Sequence, residues 1–140
     1  DQSSSNIKAL KFLGFSLLKQ QITHLTTEAK VYIIFDPPHL IKNIRNNLIK
    51  YDLLSDGKII SWKHLQELYN LDKVNAVRLV PKLTDRHLDP GSQLAMRVKL
   101  ATQIFSSQVA TALNVYASVK LLPENVLSTA FFIKKYGYFI

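Results

Sequence analysis

Asp36 and His39 stand three residues apart, a carboxylate and an imidazole separated by the double proline Pro37-Pro38. An acid at the end of an apolar run is placed to serve metal-assisted chemistry, because hard cations take oxygen ligands. It is equally placed to accept hydrogen bonds from the first N–H groups of a following helix. His39 can orient such a carboxylate or act as a hydrogen-bonded turn residue. Beyond it, Lys42, Arg45 and Asn46 are donors of the kind that contact phosphates, and also the kind found on any solvated helix face. The other histidines, His24, His64 and His87, show no HxxxH or HExxH spacing. With no cysteine in the chain, a zinc site is not expected. Asp85 and Asp89 around His87 read as a capped loop rather than a metal cluster. There is no GxSxG elbow. The glycines at 14, 57, 91 and 137 are scattered and form no phosphate-cradling loop.

These residues need elements to hold them. Val31 to Phe35 is an apolar run rich in β-branched and aromatic types, which predicts a buried strand. After the prolines the period changes to that of a helix, with Leu40, Ile41, Ile44 and Leu48 inward and Lys42, Asn43, Arg45, Asn46, Asn47 and Lys50 outward. Upstream, a helix is predicted from Ile7 to about Gln20, and Thr23 to Lys30 is a polar connection. Downstream, Ser55-Asp56-Gly57 marks a turn and Lys58 to Ile60 a short extended piece. Ser61 caps a helix from Trp62 to Asn70, and a further short helix is expected over Asp72 to Val80, ended by Pro81. Thr84 to Gly91 reads as a loop. Ser92 is then expected to cap one long helix, about Gln93 to Leu121, before a last helix from Asn125 to Tyr136. The order predicts an α/β N-terminal part followed by a mostly α-helical remainder, predominantly α overall.

Composition agrees with a packed domain of 140 residues with 47% apolar content. The formal charge of +8 and pI near 9.7 favour acidic partners such as nucleic acid or phosphorylated ligands. The absence of cysteine excludes disulfides and thiolate catalysis. No apolar run approaches the roughly 20 residues that span a bilayer. A chain opening on Asp1 and closing on an apolar Tyr136–Ile140 stretch is read as a segment of something longer.

The block FDPPHLIKNIRNNLIKY resembles the signature of P-element-type transposases, including the transposase-derived proteins that carry a THAP zinc finger. PKLTDRHLDP and MRVKLATQIFSSQVATAL resemble the nucleotide-binding insertion domain of that family. DQSSSN resembles its Asp-Gln-Gly-Ser-Asn-Asn turn, with Ser3 and Ser4 in place of the usual Gly-Ser. The resemblance implies a partial ribonuclease-H-like core over residues 1–51 and an incomplete helical GTP-binding insertion over 52–140. It implies metal-dependent DNA strand cleavage and transfer by the parent, with two Mg²⁺ (or Mn²⁺) ions held by carboxylates and GTP as an assembly cofactor. Asp1 matches the second carboxylate, catalytic and metal-binding, which leaves Asp36 the turn role. The other carboxylates would lie outside this chain, so the segment alone is expected to be catalytically incomplete. Lys82, with Asp85 and Val98, is implied in nucleotide contact; taken alone, Lys82 reads as a surface lysine and Val98 as core. His39, Lys42, Arg45 and Asn46 are implied at DNA. The expected partners are transposon-end and target DNA and GTP, in the nucleus and with no membrane, homo-oligomerisation being left open. The alternative is a domesticated, non-catalytic DNA- or partner-binding module.

Overall fold

The computed structural model describes residues 4–16 and 18–137. The chain divides into two units, Asp1–Leu40 and Ile41–Ile140.

The first unit holds helix α1 (Ser4–Phe12) and an antiparallel pair, β1 (Gln21–Thr23) and β2 (Lys30–Tyr32), with Ile22 opposite Val31. α1 stops well short of Gln20. Gly14 adopts φ +88°, the Phe15 N–H reaches the Leu10 carbonyl, and the Gly14 N–H reaches that of Lys11. This is the left-handed helix stop that glycine permits, so a residue expected only to weaken the helix ends it. None of the residues of α1 is buried.

The buried strand expected over Val31 to Phe35 is likewise corrected. Ordered pairing ends at Tyr32, the β2 residues are all exposed, and Ile34 is 85% exposed. Among the described residues, the expected α/β layer is here a two-stranded ribbon. The connection between β1 and β2 is tied by His24, whose Nδ1 accepts from the N–H groups of Thr26 and Thr27. The packing of this unit centres on Phe15 and Phe35, edge to face with centroids 5.7 Å apart.

Helix α2 (Pro37–Lys50) runs across the division between the units. Two prolines at its start are tolerated because first-turn N–H groups have no partner inside the helix anyway. Within the second unit follow the hairpin β3 (Leu53–Ser55) and β4 (Lys58–Ile60), then α3 (Trp62–Asp72). Asp56 and Gly57 both have positive φ, 51° and 72°, which is the two-residue hairpin turn that an Asp-Gly pair favours. The turn at Ser55–Gly57 forms as its residues predict, and β3 adds a strand to the extended piece expected over Lys58 to Ile60. Ser61 caps α3 through the Lys63 N–H, as expected.

Asp72 ends α3, and no helix forms over 73–80. Those residues are an irregular loop gathered on the Asp72 carboxylate, which accepts from the N–H groups of Leu79 (2.7 Å) and Val80 (3.3 Å). The expected loop at Thr84 to Gly91 contains a single turn, α4 (Asp85–Leu88). The one long helix is three: α5 (Gly91–Leu94), α6 (Val98–Ile104) and α7 (Ser107–Ser118). Ser106, extended at ψ 152°, interrupts the helix and caps α7 by accepting from the Val109 N–H. The apolar spacing of Val98, Ala101 and Phe105 carries on through Ala112, so periodicity alone bridges the break. α8 (Val126–Gly137) closes the described chain.

The core of the second unit lies where α3, α6, α7 and α8 face one another, around Leu65, Leu68, Ile104, Leu113 and Ile133, all essentially inaccessible to solvent. Burial on this scale, at roughly 25 cal/mol per Å² of apolar surface, is what holds the helices together.

Candidate functional site

The Asp36–His39 pair is a helix start. The Asp36 carboxylate accepts from the His39 N–H at 3.1 Å and also faces His39 Nδ1, while the Asp36 carbonyl accepts from the Leu40 N–H. The hydrogen bond from the His39 side chain lowers the Asp36 pKa, the other His39 contacts adding to the effect. Both side chains are about half exposed, which leaves their outer edges open to solvent.

α2 is turned differently from the amphipathic reading. Leu40, placed inward by period, is exposed, and Arg45, placed outward, is buried completely; Lys42 is buried as well. Arg45 Nε donates to the Asn46 amide oxygen (2.7 Å) and Nη2 to the Ala95 carbonyl (2.5 Å). Its Nη1 is buried with no hydrogen-bond partner, and burial lowers the guanidinium pKa. Arg45 and Asn46 thus serve each other and the loop after α5, and in this arrangement Arg45 offers no face to a phosphate.

Lys82 is held by the loop that Asp72 organises. Asp72 is fully buried and takes four hydrogen bonds: Leu79 N–H, Val80 N–H, Arg78 Nε (3.0 Å) and the Tyr116 hydroxyl (2.9 Å). Burial pushes its carboxyl pKa up, but these donors together outweigh that and hold it below the ordinary 3.8. Arg78 continues the network to the carbonyls of Val80 and Leu83. Gln108 of α7 fastens the Leu79 carbonyl at 2.9 Å. The outcome is a fixed backbone on which Lys82 stands exposed at the rim of a cleft of about 180 Å³.

Thr102 and Gln103 of α6 form the far side of that cleft, and Ser106 and Gln108 at the start of α7 form its end. His87 sets the orientation of Gln103. Its Nδ1 accepts from the Thr84 N–H (3.1 Å), so the proton sits on Nε2, which donates to Gln103 Oε1 at 2.8 Å. The Gln103 amide group is left with its N–H₂ as the donor. Lysine, hydroxyls, amide donors and the N-terminus of a twelve-residue helix converge here. Such a helix start carries partial positive charge and first-turn N–H groups without intrahelical partners, which together suit an anion.

Of the other residues implied in nucleotide contact, neither Asp85 nor Val98 lines this cleft. Asp85 acts on Tyr69, whose hydroxyl pKa is pushed up by burial first and by this carboxylate second. Val98 is half-buried against the core at the start of α6. Gln103, Ser106 and Gln108 were not legible as site residues, since single polar residues on helices carry no spacing signal. Asp1 lies outside the described residues. Among the described residues no three acidic, imidazole or thiol side chains gather as a metal site.

Residues 38–138 match the family described as TNP-like, GTP-binding insertion domain. The chain is 32% identical over 135 residues to the transposable element P transposase of Drosophila melanogaster, covering 96% of this chain and 18% of that protein. It is 27% identical over 144 residues to human DNA transposase THAP9, covering 96% of this chain and 15% of that protein. It superposes on a Drosophila P element transposase strand transfer complex with a TM-score of 0.89 and 31% identity, over 96% of this chain and 31% of that one. The chain therefore spans less than a third of the length of each relative. It belongs to the GTP-binding insertion domain family of P-element-type transposases.

Proposed function

We propose that the chain binds GTP with a phosphate held between Lys82 and the N-terminus of α7. The observation that carries this reading is the convergence of a lysine, the oriented Gln103 amide and a helix start inside the span that matches the family. A cleft of about 180 Å³ is smaller than the ~300–1,000 Å³ usual for a small-molecule site. It fits the phosphate end of a nucleotide, and the base would extend beyond it towards Val98 and Asp85. Lys82 supplies the charge, Gln103 and Gln108 supply amide donors, and the Asp72 network keeps the loop from rearranging when phosphate binds. The bound nucleotide acts as an assembly cofactor.

For the parent protein we propose DNA transposition, with residues 1–51 contributing the part of a ribonuclease-H-like core that carries Asp1 and the remainder forming the insertion. Mg²⁺ or Mn²⁺ would activate water for phosphodiester cleavage there. The described residues do not gather a donor set for such a metal, so no step is assigned to one here. His39 and Asn46 are retained as DNA-facing candidates; burial argues against Arg45 and Lys42. On that reading the parent works on chromosomal DNA in the nucleus. The second reading, a non-catalytic DNA- or partner-binding module, takes its support from Ser3 and Ser4 in the opening turn.

Isothermal titration of the chain with GTP and with ATP tests the nucleotide site. Binding of GTP that falls at least tenfold in Lys82→Ala, with an unchanged circular dichroism spectrum, is expected. Equal affinity of the variant and the wild-type chain would remove Lys82 from the site.

A further inference from the structure

A second groove, of about 390 Å³, opens between the hairpin and α8, and shares no lining residue with the cleft at Lys82. Its geometry follows from the hairpin register. Leu53 pairs with Ile60 and Ser55 with Lys58, so Ser55, Lys58 and Ile60 share the face turned toward α8. On α8, Leu127, Phe131 and Lys135 recur every four residues and line the opposite wall. The two walls are fastened at one end, where the Ser128 hydroxyl donates to the Ile59 carbonyl at 2.5 Å.

Two features define what such a groove accepts. Phe131 is 70% exposed and Leu127 is 42% exposed, so among the described residues nothing covers this apolar wall. Lys58 on the hairpin and Lys135 on the helix flank it, one cation on each rim, both exposed. The complement is an apolar or aromatic side chain between carboxylates. A polynucleotide is a poorer complement, because a phosphate backbone needs a continuous basic track, and Asp56 interrupts this one at the hairpin tip. A peptide offers backbone N–H donors to that carboxylate, which a phosphodiester chain does not.

We propose that the groove between the hairpin and α8 is a docking site for an acidic peptide segment of a partner protein, seated by one apolar anchor against Phe131 with carboxylates at Lys58 and Lys135.

The test is a titration of the ¹⁵N-labelled chain with the blocked peptide Glu-Glu-Phe-Glu-Glu, beside Lys-Lys-Phe-Lys-Lys and an eight-residue oligothymidylate. The acidic peptide is expected to shift the amides of residues 55–60 and 127–136, and to weaken at least tenfold in Lys58→Glu and Lys135→Glu. Phe131→Ser, a change at an exposed position, is expected to weaken it to a similar degree while the rest of the spectrum stays unchanged. No shift with the acidic peptide, equal shifts with the basic one, or tighter binding of the oligothymidylate at the same residues would each overturn the proposal.

Discussion

The Tyr116 hydroxyl donates to the fully buried Asp72 carboxylate at 2.9 Å, and Asn75 donates to that same hydroxyl at 2.9 Å. This places a residue of α7 in direct contact with the acid that shapes the loop carrying Lys82. Tyr116→Phe removes one bond to a buried charge and is expected to lower stability by about 1.5–3 kcal/mol. Asp72→Asn sets amide hydrogens against existing donors and is expected to lose about 3 kcal/mol or more. The dependence on acid has a definite sign. The folded pKa of Asp72 lies below its ordinary 3.8, so its contribution is complete above 3.8 and declines as pH falls through the folded value. Urea midpoints of both variants, and of the wild type from pH 7 to pH 3, check this.

His64 answers to pH in a different window. It is buried, with Nδ1 at 2.7 Å from the Thr129 hydroxyl, which also accepts from the Ser61 N–H. Burial lowers its pKa from 6.5, against smaller opposing effects of Glu67 and Asp52. The unfolded chain therefore takes up this proton before the folded chain does, and stability falls as pH drops below about 6.5. His64→Asn should start from lower stability and lose less of it between pH 7.5 and pH 5.5. A slope identical to the wild type over that range would show that His64 does not supply it.

Close packing fixes the end of α8. A Cβ added at Gly137 would lie 2.2 Å from the Phe105 carbonyl oxygen, which is main chain and cannot swing aside. Glycine to alanine inside an exposed helix usually stabilises by up to ~1 kcal/mol. Here the opposite is expected, a loss of about 1–3 kcal/mol from overpacking, measured by thermal unfolding of Gly137→Ala.

Arg45 is buried with one nitrogen unsatisfied, which costs about 1–3 kcal/mol. Arg45→Met keeps most of the volume and removes the charge, and should leave stability unchanged or raise it by about 1 kcal/mol. Arg45→Ala opens a cavity beside Leu48 and Ala95 and should lower it by ~2 kcal/mol or more. Denaturant titration of the pair separates packing from hydrogen bonding to the Ala95 carbonyl.

Much of the helical remainder was legible because capping and turn chemistry are local. Ser61 before Trp62 and the Asp56-Gly57 pair each specify their own geometry, and both formed as their chemistry requires. The misreadings came from long-range effects. The loop after Asp72 holds its shape because Tyr116, forty-four residues away, helps satisfy one carboxylate, and no window of sequence contains both. Arg45 went inward for the same reason: its acceptor is Ala95, on a loop fifty residues downstream. The family block was readable as a resemblance, whereas the partners of Lys82 were not. Gln103 and Gln108 acquire a role only when α6 and α7 bend at Ser106 and bring their ends to one cleft.

The central claim is that GTP lands between Lys82 and the start of α7. Amide shifts in the ¹⁵N-labelled chain during a GTP titration test it most directly. The account predicts that they concentrate at residues 80–83 and 102–109 and vanish in Lys82→Ala; saturable GTP binding whose shifts fall instead on residues 55–60 and 127–136 would contradict it.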